Sequence, residues 1–140
     1  MEIMNGKCLC GAVGFTARDV DTHAHSCHCS MCRTRSGGPA MSVAVGSVSF
    51  SGEQNITRFQ SSPWAERGFC KLCGTHLFYR TKASDQYILS CGPFEDQTKF
   101  TLAGEIYIDE KPAMYCLAGD HSRLTGAEFL ASIGQSVSST

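Results

Sequence analysis

The sequence lacks an extended hydrophobic run. No stretch of its 140 residues approaches the roughly 20 apolar positions that a membrane-spanning helix needs. The first seven residues also lack the apolar centre of a secretory signal. We therefore expect no membrane span, and we expect the protein to work in the cytoplasm.

An excess of positive charge is also missing. The 12 basic and 13 acidic residues give a formal net charge of −1, and there is no basic tail. A protein that binds nucleic acid through bulk charge needs a basic surface that releases counterions from the phosphates. The charge balance therefore argues against a nucleic-acid partner.

Low-complexity segments, repeats and linkers are absent as well. Apolar residues make up 42% of the sequence and charged residues 18%, a balance typical of globular proteins. We predict a single domain over residues 1–135, followed by a frayed tail over residues 136–140.

Cysteine, in contrast, is abundant, with nine residues. Seven of them form two pairs and one trio at short spacing, namely Cys8 with Cys10, Cys27 with Cys29 and Cys32, and Cys70 with Cys73. These spacings are too tight for ordinary disulfides, which argues against a secreted disulfide scaffold. In a reducing compartment such thiols persist as metal ligands. The isolated Cys91 and Cys116 are predicted to be small buried apolar residues.

The cysteine groups are sufficient for two zinc sites. Structural zinc takes four ligands in a closed set, which the two pairs together supply. The trio supplies three thiolates and no obvious fourth ligand, as in catalytic zinc sites that keep one position open. Spacing alone also allows Cys70 and Cys73 to join the trio. His28 is a further candidate for the fourth ligand, although its side chain would point away from its neighbours.

Alternating apolar residues predict a mainly β protein. The predicted strands cover residues 12–17, 41–45, 48–50, 56–59, 76–80, 87–90 and 105–109. Turn residues 36–39 end any short helix that begins near Ser30. The spacing of Thr125 and Glu128 fits a capping box, which predicts a short C-terminal helix through Ile133.

Several motifs together carry a family resemblance. They are Cys8-Leu9-Cys10-Gly11-Ala12-Val13, Cys27-His28-Cys29-Ser30-Met31-Cys32-Arg33, Ser36-Gly37-Gly38-Pro39 and Arg67-Gly68-Phe69-Cys70-Lys71-Leu72-Cys73-Gly74-Thr75-His76-Leu77. With these motifs the sequence resembles the glutathione-dependent formaldehyde-activating enzyme family, also called the CENP-V/GFA family. The pattern spans residues 8 to about 80, and the predicted strands up to Asp109 fit it too.

The resemblance implies a fold, two metals and a reaction. The fold would be a β-tent of several small coiled antiparallel sheets with zinc knuckles. Cys8, Cys10, Cys70 and Cys73 match the ligands of a structural zinc, and Cys27, Cys29 and Cys32 match those of a more labile catalytic zinc. The family's founding activity joins glutathione and formaldehyde to S-(hydroxymethyl)glutathione, a carbon–sulfur bond formation classed with the lyases.

Zinc suits this reaction because it favours a thiolate near neutral pH and polarises a carbonyl oxygen. Glutathione carries two carboxylates, so we predict cationic substrate-binding residues beside the ligands, namely Arg33, Arg35, Arg67 and Lys71. Each of these is equally well interpreted as an ordinary surface cation. The leading hypothesis is a zinc-dependent carbon–sulfur lyase acting on the thiol adduct of a small aldehyde, with glutathione as the candidate thiol. The alternative is a noncatalytic zinc-binding module for a protein or nucleic-acid partner.

Overall fold

The structure, a computed structural model, describes residues 2–134. These residues group into two compact units. The first unit comprises the residues up to Thr22 together with Ser42–Phe100, and the second comprises His23–Met41 together with the residues from Thr101 onward. The single domain over residues 1–135 stays a prediction. The predicted frayed tail, residues 136–140, lies outside the described residues.

Strands dominate the described residues, which confirms the prediction of a mainly β protein. In chain order the elements are β1 (Glu2–Lys7), β2 (Gly14–Val20), β3 (His23–Cys27), α1 (Ser30–Ser36), β4 (Ala40–Ala44), β5 (Ser47–Ser51), a 3-10 helix (Glu53–Asn55), β6 (Ile56–Ser62), β7 (Ala65–Cys70), β8 (His76–Thr81), β9 (Gln86–Ser90), β10 (Thr101–Ile106), a second 3-10 helix (Ile108–Glu110), β11 (Ser122–Leu124) and α2 (Gly126–Ser132).

The first unit is built from antiparallel strands in two arrays. In the smaller array β2 lies between β1 and β5, with Phe15 directly opposite Phe50. In the larger array the order is β4-β9-β8-β7-β6, with β4 contributing its residues from Ser42 onward. Side chains that alternate between buried and exposed along β2 place one face of the smaller array in the core.

An aromatic cluster fills the core of the first unit. The ring centroids of Phe15 and Phe94 are 5.0 Å apart, and those of Phe78 and Tyr87 are also 5.0 Å apart. Gly68 on β7 lies opposite Phe78 on β8. A Cβ atom at Gly68 would come within 2.2 Å of Cζ of Phe78, so the ring occupies the space that a side chain would need.

In the second unit β10 lies between β3 and β11 and runs parallel to both. The sequence patterns did not indicate these parallel pairings. The predicted strand over residues 105–109 has different limits, since β10 begins at Thr101 and ends at Ile106. It ends there because Tyr107 adopts a left-handed backbone conformation, φ 57°, that leads into the second 3-10 helix.

Both predicted helices are present, although α2 ends at Ser132 and Ile133 is its C-cap. Helix α1 has Cys29 as its N-cap and ends at Gly37, whose φ of 77° is easily adopted by glycine. Helix α2 carries the predicted capping box, in which Thr125 and Glu128 each accept a backbone N–H of the other. Within residues 2–134, no helix combines the length and the apolar character needed to cross a membrane.

Candidate metal centres

The first cluster of thiols lies in the first unit and contains four cysteines. Cys8 and Cys10 follow β1, Cys70 ends β7, and Cys73 lies in the turn that leads to β8. The four Sγ atoms lie within 4.8 Å of one another. The Sγ atom of Cys10 is 3.7 Å from that of Cys8 and 3.8 Å from that of Cys70. Four sulfurs bound tetrahedrally at the zinc–sulfur bond length would be about 3.8 Å apart, so this arrangement fits a zinc ion.

Two tight turns present these thiols. Each turn ends at a glycine in the left-handed region, Gly11 with φ 80° and Gly74 with φ 79°. The N–H of Gly11 donates to the carbonyl of Cys8, and the N–H of Gly74 donates to that of Cys70. The amide of Leu9 donates to Oγ1 of Thr75 at 3.0 Å, which joins the two turns. The local bonds shape each turn, and the bond between Leu9 and Thr75 holds the turns together although Cys10 and Cys70 are 60 residues apart.

Within this cluster, Cys73 and Cys10 have opposite pKa shifts. The Thr75 side chain and backbone lower the pKa of Cys73 to about 5. The backbone N–H of Ala12 lowers the pKa of Cys10, but burial and the neighbouring thiols outweigh it and raise the value to about 11. Four thiolates this close repel one another unless a cation lies among them. The electrostatics therefore suit a divalent metal ion.

The second cluster lies in the second unit and contains the trio. Cys27 ends β3, Cys29 caps α1, and Cys32 lies in the first turn of that helix. Their three Sγ atoms also lie within 4.8 Å of one another. The Sγ atom of Cys29 accepts the N–H of Cys32 at 3.4 Å, so the helix cap itself orients this thiol.

The neighbouring thiols and burial together raise the pKa of Cys27 and that of Cys29. The thiols of Cys29 and Cys32, followed by burial, raise the pKa of Cys27. The thiol of Cys27 lowers the pKa of Cys29, but Cys32 and burial outweigh it. Three thiolates can converge here once a cation compensates their charge. Among residues 2–134 this cluster contains no fourth cysteine, histidine or carboxylate.

The structure gives His28 a role other than that of a metal ligand. Its ring is fully buried, and both nitrogens already have hydrogen-bonding partners. Nε2 is 2.7 Å from Oε1 of Glu105, and Nδ1 is 3.0 Å from the hydroxyl of Tyr115. The fourth ligand that the sequence allowed at His28 is therefore not available in this arrangement.

Glu105 is the centre of a buried polar network that the sequence analysis missed. Its carboxylate is 1% exposed and contacts His28, Nε2 of His121 at 2.6 Å and Nε of Arg123 at 3.0 Å. Burial raises the pKa of Glu105, but the hydrogen bonds from His121 and His28 outweigh it and hold the value below its usual range. The strand in this segment was predicted from its apolar residues alone. Nothing in that pattern indicated that Glu105 would be buried. Burial also raises the pKa of Tyr115.

The cations predicted to bind substrate fall into different units. Arg33 and Arg35 lie on α1 in the unit that holds the trio, and Nε of Arg33 donates to the carbonyl of His28 at 2.8 Å. Arg67 and Lys71 lie in the first unit with the four-cysteine cluster. Arg67 is only 4% exposed, with its guanidinium 5.0 Å from the centre of the Tyr79 ring.

All nine cysteines lie within the described residues and are free thiols. Cys91 is buried as predicted, and burial raises its pKa to about 11. The same prediction was wrong for Cys116, which is exposed. Cys116 lies in the segment between the second 3-10 helix and β11, where no regular pattern allowed its burial to be judged.

The fold and the two clusters define a mainly β protein with two cysteine-rich sites that can hold metal ions. Comparison with known protein families identifies the family of this chain. Residues 3–110 match the glutathione-dependent formaldehyde-activating enzyme family, and the chain belongs to that family.

Two similar proteins extend the comparison. An uncharacterized lyase of Schizosaccharomyces pombe is 33% identical over 135 residues, which cover 95% of this chain and 98% of the relative. A crystal structure of a Rhodobacter sphaeroides protein superposes with a TM-score of 0.56 at 28% identity, covering 66% of this chain and 88% of that one. The family resemblance found in the sequence is thus confirmed.

Proposed function

We propose that this protein is a zinc-dependent carbon–sulfur lyase that acts on the thiol adduct of a small aldehyde, similar to S-(hydroxymethyl)glutathione synthase. The observation that carries the proposal is the trio, three convergent thiols with no fourth protein ligand among residues 2–134. A metal held by three protein ligands keeps a position for water or substrate. The family and the lyase from Schizosaccharomyces pombe support this class of reaction.

The proposal assigns two zinc ions different roles. Cys8, Cys10, Cys70 and Cys73 would hold one ion in a closed set that stabilises the first unit. Cys27, Cys29 and Cys32 would hold the catalytic ion. When bound, zinc stabilises a thiolate and polarises a carbonyl oxygen.

The reaction needs no oxidant or reductant. The S–H group of glutathione adds across the carbonyl of formaldehyde, so that a carbon–sulfur bond forms and the carbon–oxygen π bond breaks. The thiol proton ends on the oxygen as the hydroxyl of the adduct. The protein must therefore bind the thiol, orient the aldehyde and accommodate the new hydroxyl.

Arg33 and Arg35 are the proposed partners of the glutathione carboxylates. Both lie on the helix that carries Cys32, and the bond from Nε of Arg33 to the His28 carbonyl orients that guanidinium. A planar guanidinium can bind a carboxylate through two parallel hydrogen bonds. A substrate-binding role for Arg67 and Lys71 stays a prediction. Because the clustered thiols bind metal only while reduced, we propose the cytoplasm as the site of action.

Exchange spectroscopy by NMR tests this function. The zinc-loaded protein should accelerate the exchange between glutathione, formaldehyde and S-(hydroxymethyl)glutathione at catalytic loading. Cys29→Ser provides the matched control, since it removes a ligand of the trio and retains an acceptor at the helix N-cap. Zinc-loaded wild-type protein without any effect on exchange would refute the lyase and favour a noncatalytic zinc module.

A further inference from the structure

Tyr115 is held beside the trio by the buried network around Glu105. Its hydroxyl is 3.0 Å from Nδ1 of His28, and the two ring centroids are 5.6 Å apart. The Tyr115 hydroxyl also interacts electrostatically with Cys27, so the tyrosine lies near the trio. The tyrosine is half-buried, which leaves part of it open to a ligand.

The network determines how the Tyr115 hydroxyl is oriented. The Glu105 carboxylate can only accept, so Nε2 of His28 donates its hydrogen to it. In a neutral imidazole the other nitrogen, Nδ1, is then an acceptor. With this tautomer the O–H of Tyr115 donates to Nδ1, and the lone pairs of its oxygen can accept a hydrogen bond from a ligand.

Lys111 also holds the segment around Tyr115 in place. The ammonium of Lys111 donates to the carbonyls of Pro112 and Tyr115 and lies 5.2 Å from the centre of the Tyr115 ring. The Tyr115 hydroxyl also interacts electrostatically with Cys27 and Arg33. An oriented acceptor thus lies near a proposed metal ligand and a proposed carboxylate-binding residue.

We propose that Tyr115 is a specificity-determining residue of the trio site, where its oxygen accepts a hydrogen bond from the hydroxyl of the thiol–aldehyde adduct. The inference rests on the proposed function, because that reaction creates this hydroxyl. This hydrogen bond distinguishes the adduct from thioethers of the same size that carry no hydroxyl. The group recognised is the hydroxyl on the carbon that is bonded to sulfur.

A binding experiment with two ligands tests the inference. The full-length zinc-loaded protein is titrated, with NMR shifts as readout, against S-(hydroxymethyl)glutathione formed from glutathione and formaldehyde. The comparison ligand is S-ethylglutathione, which has the same number of heavy atoms and no hydroxyl. Tyr115→Phe should weaken binding of the hydroxymethyl ligand about three- to tenfold and leave S-ethylglutathione unchanged.

Tyr87→Phe is the matched control, since the Tyr87 hydroxyl accepts from Arg58 in the first unit. This variant should bind both ligands as the wild-type protein does. Zinc content and circular dichroism are measured on each protein, and we expect Tyr115→Phe to match the wild type in both because the ring is retained.

The outcomes separate this inference from the proposed function. If Tyr115→Phe keeps the preference for the hydroxymethyl ligand, or loses both ligands equally, the inference is wrong even when the wild-type enzyme is active. A wild-type protein that neither accelerates exchange nor binds either ligand would overturn the proposed function, and the inference with it.

Discussion

Replacing one cysteine in each cluster should have opposite consequences for folding. Cys70 is fully buried and supplies one of the four thiols of the closed cluster. Zinc binding by small structural sites contributes about 10–16 kcal/mol, which is comparable with or larger than the roughly 5–15 kcal/mol that separates folded from unfolded domains. We therefore expect Cys70→Ser to lose its zinc and to unfold the first unit.

Cys29→Ser should leave the fold intact. Cys29 is only half-buried and caps α1, where its sulfur accepts the N–H of Cys32 at 3.4 Å. Serine is among the best N-cap residues, so its hydroxyl can take over that bond. The stability should change by no more than about 0.5 kcal/mol, or about 2 °C in Tm for a chain of this length. Zinc content should fall from two ions per chain to one.

Metal analysis and thermal unfolding followed by circular dichroism decide between the two roles. Cys116→Ser is the control, since this exposed cysteine belongs to neither cluster and should keep both zinc ions and the wild-type Tm. If Cys29→Ser unfolds while Cys70→Ser stays folded, the roles of the clusters have been assigned the wrong way round. Wild-type protein without bound zinc would remove the basis of both assignments.

Three further predictions concern packing, capping and thiol exposure. Gly68→Ala should destabilise the fold by about 1–3 kcal/mol in denaturant unfolding, because its Cβ would overlap the Phe78 ring; an unchanged midpoint would contradict this packing. Thr125→Ala should cost about 1 kcal/mol through loss of the cap of α2, while Thr125→Ser should restore most of it. Iodoacetamide at pH 8 should label exposed Cys116 before buried Cys91, as followed by mass spectrometry, because burial raises the pKa of Cys91 to about 11. The reverse order would contradict the burial of Cys91 and the exposure of Cys116.

The metal ligands could be predicted from the sequence because their chemistry is local. Cysteines separated by one or two residues share a turn, and glycines such as Gly11 and Gly74 permit the backbone that this turn needs. The helix caps at Gly37 and Thr125 could also be predicted from the sequence, since a cap depends on residues within one turn of the chain. Spacing could not decide, however, which pair would join which group.

The polar network around Glu105 was not predictable in the same way. Nothing near Glu105 in the sequence distinguishes it from a solvent-exposed strand residue. It is buried because the parallel pairing of β10 with β3 sets it beside Ser26, and the chain between β10 and β11 returns His121 and Tyr115 to the same place. Parallel pairing depends on connections between distant segments, which short-range patterns do not encode.

By itself, the sequence determined the family, the mainly β character and the seven thiols that can hold metal, because turns and ligand spacings are properties of neighbouring residues. Only the tertiary structure decided that Cys8 and Cys10 meet Cys70 and Cys73, and that the trio has no partner in His28. Both outcomes depend on contacts between residues 60 or more positions apart, which form only when the strands pair.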